Sequence, residues 1–325
     1  MRRREVVAGL TVVSFFAPAA IAAQDAARIG CLVTGSPASH GAFVAAFRQA
    51  LARFGRIDGQ DLFIDLSWAM GQLNRLPALA EELARQRPQV VVTATTAAAL
   101  AARCAMPETP IVSATLVDPI GAGLIESFAR PGGQVTGISL VSFETLLAKQ
   151  LDLARQIRPG SRRIGMLINT GNPASVFQRD AARTAAPSMS LELIVAELQA
   201  ADDLDDAVRR LADERADIVL LLADALLITE RSRVAALALA HRLPTMSSIR
   251  EMTDAGALLS YGSDLGENWR RAAYFVDRIL RGASPADLPV EQPSTYSLIL
   301  NLRTAQALGI AIPDSLLSRA DEVIE

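Results

Sequence analysis

The chain has 325 residues, 50% of them hydrophobic and 21% charged, with a formal net charge of −3. That length supports a sizeable core with room for two lobes, and the composition excludes an intrinsically disordered chain. The slightly acidic balance argues against nucleic-acid binding, which needs a basic face. Lys149 is the only lysine, so lysine-dependent chemistry has at most one candidate.

The first residues read as a targeting segment. Arg2, Arg3 and Arg4 form a positive start, Val6 to Ala17 is a short apolar run, and Ala20-Ile21-Ala22 supplies small residues for cleavage near Ala22-Ala23. The run is too short to span a bilayer. Residues 1–23 are therefore expected to be a signal peptide, by the general or the twin-arginine route, that delivers the chain to the periplasm. Cleavage removes three arginines against Glu5 and leaves a more acidic mature chain. Gly30-Cys31 is not a convincing lipoprotein box, because Arg28 stands where such a box wants leucine. Cys31 and Cys104 could pair in an oxidising compartment, but Cys31 falls mid-strand and Cys104 on a helix, which favours two separately buried thiols.

From residue 29 short apolar runs alternate with helical periodicity. Strands are expected at Ile29–Val33, Leu62–Leu66, Val90–Val92 and Ile111-Val112. Helices are expected at His40–Phe54, Leu76–Gln86, Ala97–Cys104 and near Leu124–Ala129. Pro131-Gly132-Gly133 breaks the series, Val135–Leu140 is a strand leaving it, and a long helix, Phe143–Ile157, ends at Pro159-Gly160. The alternation then restarts with strands at Ile164–Ile168, Leu191–Glu197 and Ile218–Leu222. Its helices are near Val176–Thr184, at Leu204–Glu214 and at Glu230–His241. A strand at Ala257–Tyr261, a helix at Asn268–Leu280 and an extended Val290–Asn301 follow. Such repeated βαβ patterning predicts an α/β protein of two doubly wound lobes with parallel sheets, joined by a hinge of several crossovers. The first lobe is expected to span 28–138 plus 261–289, the second 139–260 plus 290–325.

Open α/β sheets bind ligands off the carboxyl ends of their strands, where helix N-termini converge. The residues in those places are Ser36, Trp68, Thr95, Thr96, Thr115 and Asp118 in the first lobe, and Asn169, Asp224, Tyr261 and Asp264 in the second. Hydroxyls, amides and carboxylates suit a small polar ligand, and equally suit helix capping. Trp68 could stack on a flat ligand face or simply pack, and Tyr261 is similar. For an amino acid, hydroxyls and amides would hold the carboxylate while Asp118, Asp224 or Asp264 faced the ammonium group. Asp224→Ala is then expected to weaken binding with little effect on unliganded stability.

Enzyme motifs are missing. No glycine-rich phosphate loop follows the first strand, no H-E-x-x-H and no G-x-S-x-G occur, and two histidines with two cysteines make a poor zinc set. Ser36 and His40 have no third partner, and His40 reads as a helix start. No catalysis, cofactor or metal is expected; a hydrolase or transferase is the remote alternative.

Taken in order, several short motifs make the whole chain similar to a known family. They are Gly35-Ser36-Pro37-Ala38, Trp68-Ala69-Met70-Gly71, Asp118-Pro119-Ile120-Gly121, and Ala129-Arg130-Pro131-Gly132-Gly133-Gln134-Val135-Thr136-Gly137. Ser260-Tyr261-Gly262, Pro285–Pro293 and Arg319–Glu325 complete the set. With them the chain resembles the ABC-transporter substrate-binding proteins of tryptophan/tyrosine-type import systems. The resemblance implies a type I periplasmic binding protein fold with three interlobe crossovers. It implies a small-molecule ligand, with aromatic amino acids among the candidates, a permease partner in the inner membrane, and no catalysis. A sensor feeding a receptor would use the same clamp. A monomer is the default for a clamp that must open. Thr95-Thr96-Ala97 departs from the family's usual Gly-Thr/Ser-Pro, which leaves the ligand's identity open.

Overall fold

Buried apolar runs become the strands of two mostly parallel sheets, and the amphipathic segments between them cover both faces. The computed structural model describes residues 26–140 and 143–325, so the expected signal peptide lies outside the described residues. The first array is β1 (Ala27–Val33), α1 (Pro37–Arg53), β2 (Leu62–Trp68), α2 (Leu76–Arg85), β3 (Val90–Thr93), α3 (Thr96–Ala105), β4 (Ile111–Leu116) and β5 (Val135–Ser139). Its strands pair in the order β2-β1-β3-β4-β5, parallel throughout.

The second array begins with α4 (Phe143–Ile157), β6 (Arg163–Asn169), α5 (Pro173–Ala185), β7 (Glu192–Leu198), α6 (Leu204–Asp213) and β8 (Ile218–Leu221). It continues through α7 (Ala225–Thr229), α8 (Arg231–Ala240), β9 (Thr245–Ser247), α9 (Arg250–Asp254) and β10 (Leu259–Gly262). Next come α10 (Leu265–Leu280), β11 (Ser297–Asn301), α11 (Leu302–Leu308), α12 (Asp314–Leu317) and β12 (Glu322–Ile324). The second sheet runs β12-β11-β10-β9-β8-β6-β7, with β11 antiparallel to β10.

Each sheet lies between two apolar layers. In the first lobe α1 and α10 bury Phe43, Phe47, Trp269 and Phe275 on one face. On the other, α2 and α3 bury Leu76, Leu83, Ala98 and Ala102. In the second, α4 contributes Leu147 and Leu151 to one layer, and α6 and α8 contribute Leu211 and Val234 to the other.

Helix α10 therefore belongs to the first lobe although the strand before it belongs to the second. The crossing falls after Gly262 rather than before Tyr261, since β10 pairs with β11 as far as Gly262 and with β9 at Leu259 and Ser260. The last crossing is also later than expected. Val290 N donates to Phe128 O at 2.8 Å, and Glu291 N donates to Gly137 O at 2.9 Å, so both residues still belong to the first lobe. Arg271 clamps the Glu291 carboxylate with two hydrogen bonds of 2.6 and 2.7 Å. The helix expected near Leu124–Ala129 is an irregular loop that follows turns at residues 119–123. Asp118 has φ 44° and Gly123 has φ 65°, and Leu124 and Ile125 are buried from a loop. Their burial produced the apolar signal.

Two crossover glycines are sterically required. Gly137 has φ 131°, and a Cβ there would lie 2.1 Å from the Ser113 carbonyl oxygen; at Gly262 it would lie 1.8 Å from Ser248 O. Alanine at either position must displace backbone at a lobe junction. Each substitution is expected to destabilise the protein by about 2 kcal/mol or more in urea unfolding, whereas Gly41→Ala, inside α1 with ordinary helical backbone and open space for a Cβ, is expected to cost nothing.

Candidate functional site

Strand after strand ends at the same junction between lobes, and the following helix starts there with N–H groups that lack intrahelical acceptors. Polar side chains cap them. Ser36 caps α1, Thr95 caps α3, Asn172 caps α5, Asp224 caps α7 and Asp264 caps α10. The cleft is thus built from helix starts of both lobes, which favours acceptor-bearing ligands.

Asp224 is the most enclosed of these groups, at 1% exposure. One oxygen accepts from Leu226 N (2.8 Å) and Leu227 N (3.2 Å), the other from Asn172 Nδ2 (2.8 Å), and Asn169 Nδ2 donates to both (3.3 and 3.1 Å). Burial pushes its carboxyl above the usual range, against the lowering effect of those donors. Its lone pairs are already engaged, so it organises the wall of the cleft instead of presenting a free carboxylate. Asp224→Ala would remove a cap and leave both amides unpaired. It is expected to lower unliganded stability by about 2 kcal/mol in a denaturant titration, contrary to the expectation from sequence.

The main cavity between the lobes has a volume of about 1010 Å³. The first lobe lines it with the turn from Met70 to Leu76 and with α3, the second with Asn169, Gly171, Gln199, Leu226 and Glu230. Most of the wall is apolar. Amides come from Gln72, Asn74, Asn169 and Gln199, and the charged groups are Glu81 and Glu230, one from each lobe. Towards the crossovers lies a smaller cavity of about 30 Å³, lined by Thr34, His40, Thr95, Thr115, Ala223, Ile249 and Trp269. Thr34 Oγ1 has no hydrogen-bond partner there among the described residues.

The expected residues separate accordingly. Asn169 faces the main cavity, and Thr95 and Thr115 line the deeper one. Ser36 is tied into a capping box with Ser39, and Thr96 Oγ1 donates to Val117 O while accepting from Val117 N. Asp118 accepts from Gly121 N at 3.0 Å. Asp264 is exposed at the hinge, capping α10 and pairing with Arg270. Trp68 packs on the first-lobe core, and Tyr261 packs on the second and stacks on Tyr296 with ring centroids 5.9 Å apart. Gln72, Gln199 and Glu230 were missed. Gln199 directly follows a strand and was findable; Glu230 follows α7, a five-residue helix with no periodic signal.

Both cysteines are free. Cys31 is buried in β1, which pushes its thiol up to about 12, whereas Cys104 is exposed on the cavity wall, not buried as expected. A thiol reagent is expected to titrate Cys104 in the native protein and Cys31 only after denaturation; rapid native reaction of both would contradict this packing.

The same architecture recurs in known proteins. A family model described as ABC transporter substrate binding protein matches residues 29–324. A tyrosine-binding protein of Clostridioides difficile (strain R20291) is 26% identical over 265 residues, covering 81% of this chain and 75% of that protein. The ABC domain from Streptococcus pneumonia in complex with L-Trp superposes with a TM-score of 0.85 at 26% identity, over 92% of this chain and 100% of that one. A conserved domain protein from Vibrio cholerae gives 0.86 at 25% identity, over 91% and 99%.

Proposed function

The chain belongs to the ABC transporter substrate binding protein family, and on that premise we propose that it captures a small amine-bearing ligand with an apolar body. An aromatic amino acid is the first candidate. Capture takes place outside the cytoplasm, between the two lobes, for delivery to an inner-membrane ABC permease. One observation carries the reading: facing strand ends and helix starts enclose a cavity of about 1010 Å³ between two separately cored sheets.

The lining supports the chemistry. Its amides and helix-start N–H groups can hold a carboxylate, its leucines and alanines can cover a ring, and its charged groups are carboxylates. No lysine or arginine lines the main cavity among the described residues. An ammonium group is therefore favoured, and a ligand of net negative charge is opposed by Glu81 and Glu230. A few charge-assisted hydrogen bonds of about 1.5–3 kcal/mol each, less the cost of ordering, suffice for micromolar affinity. The relatives named for tyrosine and for L-Trp agree with this class of ligand.

Saturable thermal stabilisation of the mature protein by L-tyrosine or L-tryptophan, without turnover, is the expected result. A ligand at 100 times its Kd should add about 2.7 kcal/mol. The same ligands should slow thiol modification at Cys104. Product formation would contradict a pure binding role, and preference for the corresponding acids lacking the amine would contradict the charge assignment.

A further inference from the structure

At the first turn of α1, His40 sits where the two lobes touch. Its side chain is buried, the residue being 4% exposed, with Phe43 edge-on at 5.5 Å. The ring lies so close over Gly35 that a Cβ there would be 1.9 Å from His40 Nδ1. That same nitrogen is 2.9 Å from Ser39 Oγ, and Ser39 Oγ is 3.3 Å from Thr229 Oγ1 at the end of α7 in the second lobe. Thr229 donates its own proton to Ala225 O at 2.7 Å, so in the contact with Ser39 it accepts. Ser39 then has no proton for the histidine, so His40 Nδ1 donates to Ser39, and Ser36 O at 3.3 Å is the competing acceptor for the Ser39 proton. A short relay of neutral groups therefore links the histidine of one lobe to a helix of the other.

We propose that His40 is the proton-sensitive part of this interlobe contact, so that acidification weakens closure and, through it, retention of ligand.

The surroundings of the ring allow it little accommodation of charge. The turn after β1 and the ends of β3 and β4 present backbone and hydroxyls; α1 presents Ser39 and Phe43; α7 presents Ile228 and Thr229; and α10 presents Leu265 and Trp269. The charge acting on the ring is Arg231 of α8, on the opposite lobe. Burial, and then Arg231, lower the imidazole from its usual 6.5 to about 4. Arg231 and the covering residues Ile228 and Thr229 come from the second lobe, while Gly35, Phe43 and Trp269 stay with the ring, so the part of the shift that depends on closure is the part these second-lobe groups supply. Separation hydrates the ring and removes Arg231, returning the group towards its ordinary range. The closed form has the lower value, so the open form binds the proton more tightly. Closure is undiminished above 6.5 and loses ground as pH falls from 6.5, until a plateau below about 4. For full relaxation on opening, the shift at pH 5 is about 30-fold.

The test does not depend on knowing the ligand. The chain has two histidines, so imidazole NMR gives two titrating signals, and His40→Gln assigns them. A His40 midpoint well below 6.5 is expected, raised in Arg231→Gln, a half-buried surface change that keeps the test available if His40→Gln folds poorly. Small-angle scattering should show the radius of gyration rising between pH 7.5 and 4.5 in the wild type but not in His40→Gln. An ordinary midpoint, no response to Arg231→Gln, or equal expansion in both proteins would each overturn the proposal. Only its consequence for retention rests on the functional reading above. With L-tryptophan as probe, affinity should fall by more than about threefold, and at most about 30-fold, from pH 7.5 to 5 in the wild type and less than about threefold in His40→Gln. No binding at any pH would count against the ligand assignment and leave the latch to the first two measurements.

Discussion

Unsatisfied N–H groups at the starts of helices dictate what the cleft is made of. The helices α1, α3, α5, α7 and α10 begin at the junction of the lobes, and their first turns need acceptors. At these helices the chain supplies a serine, a threonine, an asparagine or an aspartate at the cap, and much of the polarity facing the cleft is spoken for by that need. What remains for a ligand are N–H groups beyond the capped ones and side-chain amides one step further out. Asp224 makes the point most clearly: it looks like a binding carboxylate by position, yet four nitrogen donors of its own lobe converge on it.

A second constraint follows from how the lobes are joined. α10 covers the first sheet although its chain arrives from the second, and residues to Glu291 remain fixed to β5 before the last crossing. The Arg271–Glu291 clamp holds that segment to α10, so the third crossover itself spans only the few residues between Glu291 and β11. With the close backbone approaches at Gly137 and Gly262, this leaves two separately packed cores joined by short crossovers.

Much of this was legible in the sequence, because alternating short apolar runs and amphipathic segments encode parallel sheets directly. Phe143–Ile157 has the expected limits, and β6 and β8 lie within a residue of theirs. The losses have physical causes. Helices α7 and α9 have five residues each, too few for a period to repeat, and β9 has three. The loop from Val117 to Gln134 buries leucine and isoleucine without a helix, defeating the rule that apolar spacing implies regular structure. Residue type at strand ends located the cleft, but Ser36, Thr96 and Asp118 spend their polar atoms locally, which no residue type reveals.

The character of the interlobe contact bears on how a binding protein of this kind must work. A clamp held shut by strong ion pairs would close without ligand, and one held by nothing would need the ligand to supply the whole cost of closure. Among the described residues the direct side-chain link is the neutral Ser39–Thr229 hydrogen bond, beside Ile228 and Ile249 of the second lobe, which line a small cavity with Leu265 and Trp269 of the first. A neutral hydrogen bond contributes about 0.5–1.5 kcal/mol net, small enough that a ligand's own contacts decide the balance. Placing a buried histidine at that link, with an arginine facing it, makes a nearly balanced equilibrium responsive to protons as well. Sensitivity to either input requires the same thing, a closing free energy close to zero.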